Sequence, residues 1–316
     1  MTLNHYWQLL LEVMLPMTLL VVSGGVWRRY LADEQVRAIR SHIASITINL
    51  FAPALLFAAA ASAHITVELL SVPALLATGI LIGSGLLYWL LFRTRLGVAL
   101  SLPTKTGLLL CGVFGNVLFM GYPLLHFLFG DDGVRYAAFA DMGAATPLLW
   151  SLGVWMAIRL SGSGVRISNP IKTWLLLPPV WSFLLGASLS MMPIDTTPLV
   201  HAARFIGQPT VPIMLLMLGL TIPWRKLAPH PAVITVALFK IMLLPLMTWL
   251  VATYYFGTLR EAQIAAVIES SVPTMLMALG LADKYALDVE SVALTIAWST
   301  VLFLISLPFW LWVLIR

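Results

Sequence analysis

The sequence predicts an all-α polytopic membrane protein: ten transmembrane helices in two inverted five-helix repeats, with helices 4 and 9 broken at mid-depth. Three observations predict it. The first is composition. Of 316 residues, 60% are hydrophobic and only 10% are charged, with a mean hydropathy of +0.96; a soluble domain carries about 25% charged residues. The second is run length, since the apolar runs are far longer than barrel strands and suit helices of ~20 residues. The third is a pair of interruptions. The stretch 107–130 carries Asn116, Gly121 and Pro123, and the stretch 262–283 carries Glu269 and Pro273. Proline removes a backbone donor and clashes with the preceding turn. Inside hydrocarbon, the freed groups must be buried in protein or line a wet cavity. The sequence therefore places the two breaks at Pro123 and Pro273, and two interrupted spans in matching places of two halves point to a transporter's central site.

Taken in order, the spans run 7–27, 38–62, 68–92, 106–129, 134–159, 171–191, 199–222, 231–256, 261–281 and 289–314. The first runs past Pro16 without a convincing cleavage site and reads as a retained span rather than a signal peptide. Basic residues set the orientation. Arg28, Arg29, Arg37, Arg40, Arg93, Arg95, Lys105, Arg159, Arg166, Lys172, Arg225, Lys226 and Lys284 fall on one side, against Arg135, Arg204, Arg260 and Arg316 on the other. The richer side is expected to be cytoplasmic, with both termini outside. The net charge of +5 sits in short inter-helix loops and is no nucleic-acid signal. Cys111 is the only cysteine, which excludes an internal disulfide and a cysteine-rich metal site.

Five spans per half is an odd number, so a repeated half must be inverted. Residues 1–160 form the first expected repeat and 161–316 the second. Proline falls in spans 1 and 6 (Pro16; Pro178, Pro179), 2 and 7 (Pro53; Pro212), 4 and 9 (Pro123; Pro273), and 5 and 10 (Pro147; Pro308). Beyond each break an acidic end follows, Asp131-Asp132 and then Asp283.

The motifs Asn116-VLFMGYPLL, Gly207-QPTVPIMLLMLG, Pro273-TMLMALGLADKY and Asn49-LFAPALLF resemble the auxin efflux carrier family, over nearly the whole chain. The long cytoplasmic loop of many plant members is absent. The resemblance implies an inverted five-plus-five fold related to the bile-acid sodium symporters. Helices 4 and 9 then cross at their breaks, within a moving core of helices 3–5 and 8–10 against a scaffold of helices 1–2 and 6–7. It implies substrate contact by Asn116, joined by Gly121, Tyr122, Pro123, Pro273, Thr274 and Asn49. The place of Glu269 resembles that of the sodium-binding glutamate beside the symporters' crossing. A homodimer through the scaffold helices fits the same arrangement.

The residues carry their own chemistry. Asn116 offers donors and an acceptor to a carboxylate or to a free backbone carbonyl. Half-helices that start at mid-membrane present unpaired N–H groups and positive dipole ends, suited to an organic anion. Glu269 lies in an apolar span, where a charge costs at least ~2.5 kcal/mol. It can bind Na⁺, hold a proton, or pair with Lys240; Ser270, Ser271 and Thr274 offer further oxygens. Asp141 joins the ion site or pairs structurally. Glu12 reads as interfacial or scaffold, His126 as a satisfied buried histidine, and Asp131-Asp132 as a solvated cap. No cofactor is expected apart from a Na⁺ at Glu269. The expected activity is secondary transport of small organic anions, in a bacterial-type inner membrane. No G-x-x-x-x-G-K-[ST] loop is present, so ATP is not the expected drive. An intramembrane lipid-modifying enzyme would need an acidic or histidine cluster at one interface, and none is evident; a channel or receptor is the third reading, since the two breaks could also line a pore.

Overall fold

The computed structural model describes residues 7–162, 169–224, 227–228 and 230–315, and among these every regular element is helical. Arg166, Arg225, Lys226 and Arg316, counted above for orientation, lie outside the described residues. Among the described residues, six helices are long and apolar enough to cross a bilayer: Trp7–Arg28, Asp33–Ala61, Val67–Arg93, Thr197–Thr221, Pro231–Phe256 and Val289–Leu314. The apolar stretches between them are helices in pieces. Leu102–Val113 is separated from Val117–Gly121 and Tyr122–Ala140, Pro170–Leu175 from Pro178–Ser190, and Glu261–Ser271 from Met277–Lys284. Gly130, at φ +59°, turns the chain within Tyr122–Ala140.

The outward faces are apolar. On Trp7–Arg28, the exposed Leu11, Leu15, Leu19, Val22 and Val26 recur at helical spacing and form one stripe. Such a stripe suits lipid. Inward, small residues allow close approach. Gly24 faces the backbone of Leu216 and Gly219, and Gly219 faces that of Val21, so Trp7–Arg28 and Thr210–Thr221 touch backbone to backbone. This is the small-residue packing typical of membrane helices. Ala52–Ala61 packs in turn on Pro178–Ser190 and Thr197–Gly207. A second set of neighbours joins Val67–Arg93 with Leu244–Phe256 and Glu261–Ser271, and Val289–Leu314 with Pro231–Leu238 and Leu102–Val113.

The prolines shape the helices in a regular way. Besides Leu149–Gly153, which no proline follows, wide π-turns occur at Leu10–Met14, Thr47–Phe51, Val117–Gly121, Asp141–Ala145 and Phe239–Leu243. Each ends two residues before a proline: Pro16, Pro53, Pro123, Pro147 and Pro245. A proline ring collides with the carbonyl four residues back and cannot bond it; in each case that carbonyl lies inside the widened turn. For Pro245 it belongs to Ile241, and the buried Trp310 indole N–H donates to it at 2.8 Å. Pro73 and Pro308 instead sit inside α-helices.

This corrects the expected break at Pro123. That proline's clash is absorbed by the turn Val117–Gly121, and the chain leaves helical geometry earlier, at Phe114 (φ −98°, ψ 115°) through Asn116 (φ −82°, ψ 60°). The second break lies where expected, with Val272 extended (φ −60°, ψ 152°) immediately before Pro273.

Candidate functional site

The two breaks meet. Gly115 and Thr274 form an antiparallel bridge, the one strand-like pairing among the described residues. The Asn116 N–H donates to the Pro273 carbonyl at 2.7 Å, and the Met275 N–H donates to the Phe114 carbonyl at 3.1 Å. Each break thus supplies the backbone partners that the other lacks, which is what an apolar medium demands of non-helical chain.

The half-helix ends leave further carbonyls without intrahelical partners. At the first, the Thr274 hydroxyl donates to the Cys111 carbonyl at 2.8 Å, while the Thr274 N–H donates to the Ser299 hydroxyl at 3.1 Å. At the second, the Lys240 ammonium donates to the Ser270 carbonyl at 2.7 Å. Lys240 is fully buried on the turn Phe239–Leu243. It reaches the break because Gly115 has no side chain: a Cβ there would lie 3.0 Å from Nζ and 2.9 Å from a Val272 methyl.

Glu269 is also fully buried, and neither carboxylate oxygen has a hydrogen-bond partner. The carboxylate rests directly on Gly121, where any Cβ would overlap it. The charged groups whose fields reach it are Asp141 and Lys240. Among the described residues, no ion pair within 4 Å joins Glu269 to Lys240, so the paired alternative is not what this structure contains. Asp141 is buried on the turn Asp141–Ala145 and accepts from the Thr146 hydroxyl at 3.1 Å.

Asn116, Gly121, Pro273, Thr274, Glu269, Ser270 and Ser271 are all buried at or beside the crossing. The Asn116 amide makes no hydrogen bond with a described residue; its backbone alone ties the breaks together. The Ser270 and Ser271 hydroxyls donate to the Val267 and Ile268 carbonyls, both at 2.7 Å, which leaves their oxygen lone pairs free. Tyr122 and Pro123 are half-buried one turn on, with Tyr122 stacked on His126 at 6.1 Å. Asn49 stands apart: it is exposed and donates to the Ser45 carbonyl of its own helix at 2.8 Å.

Other expectations change. His126 is exposed, its Nδ1 at 3.2 Å from the Gly130 carbonyl. Asp131 and Asp132 are ion-paired rather than merely solvated, Asp131 to Arg204 at 3.0 Å and Asp132 to Arg135 at 2.5 Å. Glu12 is exposed on the turn Leu10–Met14. Sequence reasoning did not single out Gly115, the Cys111 carbonyl or Ser299. The adjacent Gly115-Asn116 pair, mid-span, was the one available signal.

A bundle of apolar helices with two broken segments paired at a buried polar crossing is the architecture of a membrane transport protein. The sequence comparisons agree: the membrane transport protein family matches residues 25–311. The chain belongs to this family, that of the auxin efflux carriers. A protein from Methanothermobacter thermautotrophicus, described as an uncharacterized transporter, is 30% identical over 306 residues, covering 95% of this chain and 96% of the relative. Another from Methanocaldococcus jannaschii, described in the same words, is 27% identical over 226 residues, 66% of this chain and 68% of its own length. The chain is therefore a multi-pass membrane protein of a transporter family.

Proposed function

We propose that this chain is a secondary active carrier of small organic anions, carboxylates above all, working by alternating access at the helix crossing. The observation that carries the reading is a buried crossing with two unused polar groups: the Asn116 amide and the Glu269 carboxylate. In this reading Asn116 and the half-helix starts after each break, with Gly121, Tyr122, Pro123, Pro273 and Thr274 around them, receive the anion. Glu269, with Ser270, Ser271 and Asp141, carries the coupling to Na⁺ or a proton.

The same reading takes the chain as ten spans in two inverted repeats, with helices 3–5 and 8–10 moving against helices 1–2 and 6–7. Its support is the packing: Trp7–Arg28 with Thr210–Thr221 and Ala52–Ala61 with Pro178–Ser190 form one neighbourhood, and the helices around the breaks form the other. Both termini lie outside the cytoplasm, so a terminal reporter active only in the cytoplasm stays silent at either end.

Uptake of labelled mono- and dicarboxylates into proteoliposomes, with and without Na⁺ and pH gradients, tests the function. Saturable, gradient-driven flux is expected. Flux that does not saturate would indicate a channel, and chemical conversion an enzyme. Asn116→Ala should insert and fold normally, since the tie between the breaks is made by its backbone. It should weaken anion affinity by about 1.5–3 kcal/mol, the worth of a hydrogen bond to a charged group. Wild-type affinity in that variant would remove Asn116 from the site. Glu269→Gln should abolish the gradient dependence while leaving a stable protein.

A further inference from the structure

The crossing already contains a basic side chain. Lys240 donates from its ammonium to the Ser270 carbonyl at 2.7 Å, at the C-terminal end of the half-helix Glu261–Ser271. A helix C-terminus favours positive charge, and its last carbonyls have no partner within the helix. Glu269, next to Ser270 in the chain, has two buried carboxylate oxygens without hydrogen bonds; it makes no ion pair with Lys240 within 4 Å but lies within reach of that side chain's field. The other face of the ammonium lies against Gly115, in the opposite break. A backbone carbonyl and a carboxylate are the hard oxygen ligands that a small metal cation needs. Here an ammonium on a side-chain tether holds that carbonyl.

We propose that Lys240 is the resident cation of the crossing, standing on the Ser270 carbonyl beside Glu269 where a free Na⁺ would otherwise bind. The wild-type chain then holds its breaks together without Na⁺, and removing the ammonium uncovers a Na⁺ site. The inference builds on the coupling role proposed above and assigns the occupant of that site. It narrows the coupling choice: Na⁺ is not bound at Glu269 while Lys240 is in place.

The test needs no substrate anion, so its outcome is independent of the uptake assays. Thermal unfolding of the purified protein is followed in NaCl and in choline chloride at equal ionic strength. The wild type should unfold at the same temperature in both. Lys240→Met and Lys240→Gln should unfold at least about 2 °C higher in NaCl, as expected for a ligand that binds only the folded state. Lys240→Arg should behave as the wild type, and adding Glu269→Gln to Lys240→Gln should remove the NaCl shift. Selective stabilisation of the wild type by Na⁺ would overturn the proposal. So would two folded neutral variants that ignore Na⁺. If neither neutral variant folds, the wild-type pair of melting curves decides: equal temperatures support the resident cation, and a higher one in NaCl refutes it.

Discussion

The two breaks do the same structural task with different chemistry. The second contains the proline that the task suggests: Pro273 follows an extended Val272, and the preceding half-helix ends on an ammonium. The first contains no proline. Gly115 and Asn116 open it, a threonine hydroxyl caps the carbonyl of Cys111, and Pro123 comes seven residues after Asn116 within renewed helix. One break is written into its own covalent structure, whereas the other exists because a partner segment pairs with it. The helix ends differ likewise: a neutral cap on one side, a charged cap with an unpartnered carboxylate nearby on the other. The charged cap thus belongs to the second break, although both charged side chains also touch the first, Lys240 at Gly115 and Glu269 at Gly121.

The largest expected effect tests that asymmetry. Lys240→Met strips the charged cap from the Ser270 carbonyl and removes the positive charge whose field reaches the buried Glu269, which together should cost about 1.5–3 kcal/mol, the worth of a hydrogen bond from a charged group. Adding Glu269→Gln should restore much of it, measured by thermal unfolding in detergent. Equal loss in single and double variants would mean that the two residues act independently. Next comes Gly121→Ala, whose methyl would overlap the Glu269 carboxylate. Overpacking of this kind should cost ~1–3 kcal/mol, and less once Glu269 is already alanine. Thr274→Val removes the neutral cap and should cost about 1 kcal/mol; a loss as large as that of Lys240→Met would erase the contrast between the caps.

The smallest effect lies at the acidic ends beyond the breaks. Asp131 follows the first and is bound to Arg204, while Asp283 follows the second and has no ion pair within 4 Å among the described residues. Arg204→Ala should cost under ~1 kcal/mol, because both partners are partly exposed. The hydrogen bond from Arg204 holds the Asp131 carboxyl below the usual carboxylate range. The bridge's contribution is therefore complete above the ordinary aspartate value of about 3.9 and fades as pH falls through the lowered one. A pH profile of unfolding in wild type and Arg204→Ala should converge only at that acidic end.

The long continuous helices were legible from hydropathy alone, because lipid asks only for length and apolarity. The second break was legible too, since Pro273 carries its cause in its own ring. The first was placed at Pro123, because sequence shows a proline but not whether a widened turn absorbs its clash. Gly115-Asn116 becomes a break through hydrogen bonds to residues more than 150 positions later, and one segment read alone shows no such partner. Lys240 was weighed as a partner for a carboxylate, the usual expectation for a buried lysine. Its acceptor is instead a backbone carbonyl freed by the second break, and an unsatisfied carbonyl leaves no letter in the sequence.

The widened turns before Pro16, Pro53, Pro123, Pro147 and Pro245 change how these helices are to be read. Each adds one residue to a turn, and one residue is about 100° of rotation about the helix axis. The face that points inward above the proline is therefore out of phase with the inward face below it. A heptad ruler laid along the whole of Asp33–Ala61 or Pro231–Phe256 assigns one end to the wrong side. Deleting a single residue within Phe239–Leu243 would return Pro245 to its collision and swing one segment by about a quarter turn against the other. In such spans a deletion is a torsional change before it is a change of length.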